Sequence, residues 1–342
     1  MIKYISAAVA VAAASVLTAA FSAGATAPGA NGQIVFRRYL PTKEPTSALF
    51  VVNPDGTGER QLTRPTPGVA DNHPSWSPDA SKIAFERCRK DHCEVWTVGA
   101  DGAGLRRLGA MCHRASPTPK CDERGAPAWS PGGRAIVMNR AYGPIEEAFG
   151  IKYSGLALTG PRGGHLRNLV MSKPYAGDLR DGAWSPDGKR LVLTVSHSAK
   201  AKPANGEALF LVNADGTGLR PLTPWKLRAD QGSWSPDGER ILFRSTRPDD
   251  ETFGGGLYTI RPDGTGLTQL IAPQRRKMIL RPAFSPDGSS ITFAGSGVSG
   301  EPEVVVADVD GTNARFITHG GALSPDWGRA PLVLSVHRLS GS

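Results

Sequence analysis

Short apolar runs separated by polar turn segments recur along most of this chain. The clearest succession has apolar runs at 241–243 and 257–260, flanked by shorter extended pieces at 232–234 and 268–270. Runs of this length, rich in Ile, Leu, Phe and Tyr and bounded by Gly, Pro and Asp, are typical of β-strands. Two of the three connections between them are tight. The pattern therefore predicts a four-stranded antiparallel meander.

Two turn signatures repeat together with these runs. The first is Ser-Pro-Asp, once Ser-Pro-Gly, and its serines are Ser77, Ser130, Ser185, Ser235, Ser285 and Ser324. Their spacings are 53, 55, 50, 50 and 39 residues. The second signature is of the Asp-Gly-Thr-Gly type, as at 215–218 and 263–266. Periods of about 40 to 50 residues that contain strands are typical of propellers, and one small sheet cannot bury both faces unless neighbouring sheets stack on it.

Counting the repeats predicts how the ring closes. Five units are complete, at about 73–108, 126–170, 182–223, 232–271 and 281–318. The N-terminal segment 33–63 lacks a first strand, and segment 321–327, with its own Ser-Pro-Asp turn, supplies one. The sequence therefore predicts an all-β, six-bladed propeller closed by pairing of its N- and C-terminal strands. The repeats do not account for the apolar tail 332–336. It would either compete with 34–36 for the same place in the sheet or add an outer strand.

The N-terminal residues indicate export. Lys3 precedes an uncharged, Ala-rich run at 4–26 that ends in small residues, a pattern typical of a secretory signal peptide. A membrane anchor is the alternative, because the run is long enough to span a bilayer. We expect a signal peptide at 1–25, a linker at 26–32, a propeller at 33–338, and a periplasmic or extracellular location.

The repeats resemble a known family. Trp-Ser-Pro-Asp-Gly, the Ile-x-Phe strand, the Leu-Phe-Val-x-Asn strand at 49–53, and Asp-Gly-Thr-Gly followed by Leu-Thr look like the WD40-like (PD40) repeats of TolB-type propellers. The resemblance covers 33–328 and implies a six-bladed propeller that acts through protein contacts in the bacterial periplasm or outside the cell. Family members with an α/β domain carry it ahead of the propeller, whereas here the predicted signal leads directly into the strand at Gln33.

The cysteine content fits an oxidising compartment. Four cysteines in an exported chain predict disulfides, and four allow three pairings. Their order favours Cys88 with Cys93 and Cys112 with Cys121. A zinc site that adds His92 and His113 is the alternative, but the spacing matches no standard zinc motif. We therefore predict disulfides, no metal and no cofactor.

The net charge is positive but dispersed. The chain has 40 Lys and Arg against 31 Asp and Glu, a formal charge of +9 that becomes +8 when Lys3 leaves with the signal. Because Lys and Arg are scattered through every repeat, the charge favours a role in solubility, and the alternative is association with anionic cell-wall polymers. No basic segment interleaved with aromatic residues indicates nucleic-acid binding. We expect a monomer that binds an envelope protein or peptide.

Polar residues that the repeats do not require precede each first strand, where the blades open into a central funnel. These candidates for a binding site are Asp71, Asn72, His73, Arg124, Arg180, Asp181, Asp230, Gln231, Arg281 and His319. Convergent polar groups of this kind suit a peptide terminus, an acidic group or a sugar. The alternative is a solvated channel whose charges pair with water and with each other.

Catalytic motifs are missing from the sequence. It has no Gly-x-Ser-x-Gly, Walker, Rossmann or His-Glu-x-x-His motif. Segment 308–313 is oxygen-rich like a calcium loop, but it occupies a turn slot of the repeat and lacks the downstream Glu. The sequence favours a non-enzymatic scaffold that binds a protein or peptide. One alternative is a propeller that binds carbohydrate or cell wall. The other is a lyase or hydrolase centred in the funnel, with His73 or His319 as the base and Asp71 or Asp230 nearby.

Overall fold

The computed structural model describes residues 27–90, 92–109, 123–142, 153–172, 177–197, 206–246, 255–273, 277–297 and 300–331. The predicted signal peptide, the apolar tail 332–336, and the expected Cys112–Cys121 pair lie outside these residues. None of the described segments forms a helix long and apolar enough to cross a membrane.

The regular secondary structure of the described residues is β-strand, apart from one 3₁₀ turn at Trp225–Leu227. Its strands are β1 Asn31–Tyr39, β2 Ser47–Val52, β3 Arg60–Gln61, β4 Val69–Trp76, β5 Lys82–Arg89, β6 His92–Gly99, β7 Arg106–Arg107, β8 Glu123–Trp129, β9 Ile136–Tyr142, β10 Tyr153–Thr159, β11 Arg167–Met171, β12 Leu179–Trp184, β13 Arg190–Ser196, β14 Glu207–Asn213, β15 Arg220–Pro221, β16 Ala229–Trp234, β17 Ile241–Ser245, β18 Gly256–Ile260, β19 Thr268–Ile271, β20 Ile279–Phe284, β21 Ser290–Ser296, β22 Pro302–Asp308, β23 Arg315–Phe316 and β24 Ala322–Arg329.

Four separate sheets contain four strands each, paired antiparallel in chain order. We name them sheet 2 (β8–β11), sheet 3 (β12–β15), sheet 4 (β16–β19) and sheet 5 (β20–β23). The remaining eight strands form one sheet with two halves, 1a (β24, β1, β2, β3) and 1b (β4–β7). A single parallel residue pair, Ser47 with Ala70, joins these halves. The expected count of six separate blades is therefore not confirmed by the hydrogen bonding, whereas an all-β propeller is.

The strands in the predicted meander form where the apolar runs lie. In sheet 4 the run at 241–243 belongs to β17, which pairs with β18 so that Phe243 faces Tyr258. Within this sheet the turn at 235–238 is closed because Ser235 Oγ donates to Asp237 Oδ1 at 2.5 Å. The predicted strand order of this repeat is confirmed.

The core lies between neighbouring sheets. Each hydrophobic cluster of the described residues combines side chains from two consecutive sheets or half-sheets. The clusters join 1a to 1b through Leu49 and Phe85, 1b to 2 through Val95 and Ile136, 2 to 3 through Leu156 and Leu191, 3 to 4 through Leu209 and Trp234, 4 to 5 through Leu242 and Phe284, and 5 to 1a through Val304 and Ile34. The succession returns to its starting point, so the sheets enclose a common axis.

The two ends of the propeller meet in half-sheet 1a. Strand β24 pairs antiparallel with β1, and Ile34 lies opposite Trp327. The indole Nε1 of Trp327 donates to the carbonyl oxygen of Gly32 at 3.1 Å. The predicted closure by pairing of the terminal strands is confirmed.

The sixth Ser-Pro-Asp signature is not a turn, which corrects the sequence prediction. Ser324, Pro325 and Asp326 lie inside β24. They precede Trp327 just as His73-Pro74-Ser75 precedes Trp76 in β4. The tripeptide was misassigned because the same three residues occur in a different part of the repeat. The feature common to all repeats is an aromatic residue late in the first strand, which is Phe284 in sheet 5 and tryptophan in the others.

The first predicted disulfide is present. Cys88 and Cys93 lie directly opposite each other on β5 and β6, and their sulfur atoms are bonded. The bond braces the hairpin between the second and third strands of half-sheet 1b. This hairpin, the links between sheets and the starts of the first strands all lie on one side of the propeller, which we call the link face. The other side is the turn face.

Candidate functional site

The first strand of each sheet contains one residue in the left-handed backbone region. The six are His73, Ala126, Asp181, Gln231, Arg281 and Ser324, with φ between 41° and 57°. Each lies at a shift in pairing register within its strand. A bulge of this kind re-aims a side chain relative to regular strand alternation. The local sequence thus turns one residue per sheet or half-sheet toward the axis.

These residues line a cavity on the axis of about 120 Å³. All six left-handed residues contribute to its wall, together with the two residues that follow each of them. Four of the predicted site residues are therefore brought together: His73, Asp181, Gln231 and Arg281. The other six predicted residues are not in the cavity wall: Asp71, Asn72, Arg124, Arg180, Asp230 and His319.

The six residues outside the wall have other surroundings. Asp71 is fully buried and accepts two hydrogen bonds from Arg87, at 2.6 and 2.8 Å. The carboxylate of Asp230 accepts two hydrogen bonds from Arg244 in the same bidentate geometry. Asn72 Oδ1 accepts from Arg37 at 2.7 Å. These polar groups hold β4 and β16 to their neighbours, whereas His319 is exposed.

Backbone N–H groups of the left-handed residues tie neighbouring sheets together. Ala126 donates to Glu86 Oε2 at 3.0 Å, and Asp181 donates to Asn139 Oδ1 at 2.9 Å. Gln231 donates to Thr194 Oγ1 at 3.2 Å. In each case the acceptor lies on the second strand of the preceding sheet. Sequence reasoning missed these acceptors, because their role depends on contacts between sheets rather than on any motif.

The side chain of Gln231 also links two neighbouring sheets. Its side-chain Oε1 accepts the backbone N–H of Arg281 at 2.7 Å. The amide group is thereby fixed between two consecutive first strands, and its orientation is set by the fold.

Asp181 is the centre of the charged part of the wall. Its carboxylate lies 2.9 Å from Arg281 Nη1, which belongs to sheet 5, and 2.9 Å from Arg180 Nη1. Burial alone would raise the pKa of Asp181, but the charges of Arg281 and Arg180 outweigh it and lower the pKa to about 2. Asp181 is therefore an anion at all physiological pH values, and Arg281 is anchored across the cavity.

A second pair lies on the opposite part of the wall. His73 Nδ1 is 3.3 Å from Glu86 Oε2. Burial would raise the pKa of Glu86, but the hydrogen bond and charge of His73 outweigh it, so the pKa is lowered. The carboxylate of Glu86 thus pairs with His73 and also accepts a hydrogen bond from the backbone N–H of Ala126. His73 keeps 30% of its side-chain surface exposed and is open to a ligand.

Asp326 is a wall residue that sequence reasoning placed in a turn. The corresponding residues of the other first strands are Ser75, Ala128, Ala183, Ser233 and Ala283. Burial raises the pKa of Asp326 to about 7, although backbone N–H groups of Trp76 and Trp327 partly oppose the shift. The Trp76 N–H donates to Asp326 Oδ2 at 2.7 Å. The cavity therefore contains one carboxyl group that titrates near neutral pH.

The described residues give little support to a metal centre. The three potential ligands that lie together are Glu86, Cys88 and Cys93. Both sulfur atoms are consumed by the disulfide, so neither is available as a thiolate ligand. The oxygen-rich segment 308–313 is a turn in which Asp310 Oδ1 accepts from the backbone N–H of Thr312 at 2.9 Å and from its hydroxyl at 2.6 Å.

Sheets enclosing an axial cavity in this way define a β-propeller, and comparisons with known proteins give the same class. The structure is similar to TolB from Acinetobacter baumannii, with a TM-score of 0.67, 16% identity, and coverage of 87% of this chain and 66% of that one. It is also similar to a putative TolB from Agrobacterium tumefaciens, with a TM-score of 0.59, 18% identity, and coverage of 86% and 92%. The fold is a TolB-like β-propeller.

In sequence, the chain matches the Tol-Pal system protein TolB of Zymomonas mobilis with 36% identity over 83 residues. The match covers 24% of this chain and 15% of that protein's length. No family model matches the chain.

Proposed function

We propose that this protein is an exported propeller that binds a protein or peptide of the bacterial cell envelope on its link face, over the axial cavity. The TolB-like fold and the partial sequence match to a Tol-Pal system protein support this function. The signal-peptide pattern at 1–25 supports a periplasmic location, with a propeller from residue 33 onward.

A six-bladed ring is part of this proposal. Half-sheets 1a and 1b each have four strands of their own and are joined by one parallel residue pair. The hydrophobic cluster between them, which includes Leu49 and Phe85, is of the same kind as the clusters between separate sheets. Counting the halves as two blades gives six, the number implied by the PD40-like repeats.

The size of the cavity is the observation that carries the proposal. Pockets that enclose a small organic substrate usually have about 300 to 1,000 Å³. The axial cavity has about 120 Å³, which is room for one side chain or one chain terminus. A partner that rests on the link face and inserts one group fits this volume better than an enclosed substrate does. The fixed charges of Asp181 and Arg281 would orient that group.

Site-specific photo-cross-linking tests the proposal. A photoreactive residue in place of His73, whose side chain is partly exposed at the cavity, is expected to capture a discrete envelope protein. The matched control is the same residue in place of Leu267, which is 43% exposed on the turn after β18. Equal capture from both positions, or sedimentation of the protein with purified cell wall without any protein adduct, would refute a protein partner at the cavity. The second result would favour a cell-wall polymer.

A further inference from the structure

A second, larger pocket lies on the link face beside half-sheet 1b, away from the axis. It has a volume of about 510 Å³ and is formed by the link between β3 and β4 together with the outer ends of β5 and β6. Its wall includes the positively charged side chains Arg64, Arg87 and Arg89, and the apolar side chains Val69 and Trp96. This volume is within the range of small-molecule sites.

The positive charge of the pocket is only partly neutralised. Arg87 is matched by the buried carboxylate of Asp71, with Nε to Oδ1 at 2.6 Å. Glu94 is shared between Arg107 at 3.7 Å and His92 at 3.6 Å.

Among the residues that the structure describes, no carboxylate is paired with Arg64 or Arg89. Both are exposed, and neither side chain has a hydrogen bond or ion pair with another residue in the described part of the chain. Two arginines that line the pocket therefore have guanidinium donors without partners among the described residues, a setting suited to a carboxylate or a phosphate.

The fold does not require these arginines. In the links that follow sheets 3 and 5, the positions equivalent to Arg64 are occupied by Pro224 and His319, and Arg89 is replaced by His197 in sheet 3 and Gly297 in sheet 5. By contrast, the position of Trp96 is apolar or aromatic elsewhere, with Phe210 in sheet 3. The ring of Trp96 thus packs against the hydrophobic cluster between half-sheets 1a and 1b while staying partly exposed, whereas the repeat does not need the two arginines.

We propose that this pocket binds a small organic anion, whose carboxylate or phosphate is held by Arg64 and Arg89 while its apolar or ring-shaped body lies against Val69 and Trp96. Arg87, which is paired with Asp71, also lines the pocket. Arg87 lies 5.1 Å from the centre of the Trp96 ring, so the indole is held in place on one side. The site is separate from the axial cavity and does not depend on the proposed function of that cavity.

Calorimetric titration of the whole protein with four probes tests this inference. Benzoate and phenyl phosphate represent the carboxylate and phosphate sources of the anion. Benzyl alcohol has the ring without the charge, and inorganic phosphate has the charge without the ring. We expect saturable binding of at least one ring-bearing anion and much weaker binding of the other two probes. Binding of inorganic phosphate as tight as that of phenyl phosphate would refute the apolar part of the site.

Substitution separates specific binding from general attraction to a basic protein. The double variant Arg64→Gln/Arg89→Gln is expected to weaken binding by about tenfold or more, because it removes charge-assisted hydrogen bonds. Arg134→Gln on the turn face removes an exposed arginine far from the pocket and is expected to leave binding unchanged. The replaced arginines are exposed, so thermal unfolding should match the wild type. Unchanged binding in the double variant, or no saturation by either anion below about 10 mM, would overturn the proposal.

Discussion

Replacing Asp326 by Asn is expected to change how stability depends on pH. The native pKa of Asp326 is raised from 3.8 to about 7 because the carboxyl group is buried at the axial cavity. The native state therefore retains a proton that the unfolded chain releases above pH 4. Stability is lost as the pH rises from about 4 through 7, since only the native state resists deprotonation. A shift of about three pKa units corresponds to a loss on the order of 4 kcal/mol at pH 8.

Asn is a neutral analogue of the protonated acid, and its Oδ1 can still accept the N–H of Trp76. We therefore expect Asp326→Asn to be more stable than the wild type at pH 8, by up to the same magnitude. The difference should shrink steadily toward pH 4, where the wild-type carboxyl group is protonated in both states. Asp326→Ser, which introduces the residue found at Ser75 and Ser233, should show the same trend. The measurement is the free energy of unfolding in urea at each pH.

Asp287→Asn provides a matched control with the opposite sign. Burial would raise the pKa of Asp287, but hydrogen bonds from Ser285 and Ser289 outweigh it, so the pKa is lowered. This carboxylate stabilises the protein above its unfolded pKa, and the stabilisation is lost as the pH falls. The variant should be less stable than the wild type at neutral pH and approach it in acid. If the difference between Asp326→Asn and the wild type were the same at pH 5 and pH 8, the reasoning about Asp326 would be wrong.

Three further variants probe the core and the turns. Trp234→Ala removes a fully buried side chain between sheets 3 and 4 and should lower the free energy of unfolding by about 3 to 5 kcal/mol. Phe316 is 45% exposed, so Phe316→Ala should change the free energy of unfolding by less than about 1 kcal/mol. Urea titrations measure both values. Asp310→Ala should lower the melting temperature, because the hydrogen bonds from Thr312 to the Asp310 carboxylate are lost. The melting temperature of the wild type should not rise with added calcium. A calcium-dependent rise would show that segment 308–313 is a calcium-binding loop.

The strands could be predicted from the sequence because local signals agree with one another. In sheet 4 the apolar run at 241–243, the Ser235 turn and the Asp263 turn all indicate the same meander, and the structure has it. The closure of β24 on β1 followed from counting incomplete repeats. The misreading of Ser324-Pro325-Asp326 arose where two parts of the repeat share the same letters, and only pairing with β1 distinguishes them.

The candidate site could be predicted only in part. The sequence indicated polar residues before each first strand, but a bulge decides which of them faces the axis. Thus His73 lines the cavity while Asp71, two residues earlier, is buried beside Arg87. Asp181 and Arg281 belong to two separate sheets, so no local sequence pattern could predict their ion pair. The pocket beside Arg64 and Arg89 also depends on bringing distant segments together.

The pairing of β1 with β24 has a consequence for how the molecule assembles. Gly32 and Trp327, which it joins, are 295 residues apart, so almost the whole polypeptide must be in place before this contact can form. Contacts between such distant residues are slow to form because the chain entropy is lost before the contact is gained. Deleting either β1 or β24 should open the same half-sheet and leave sheets 2 to 4 paired, in contrast to a linear repeat array, in which damage at one end spares the other.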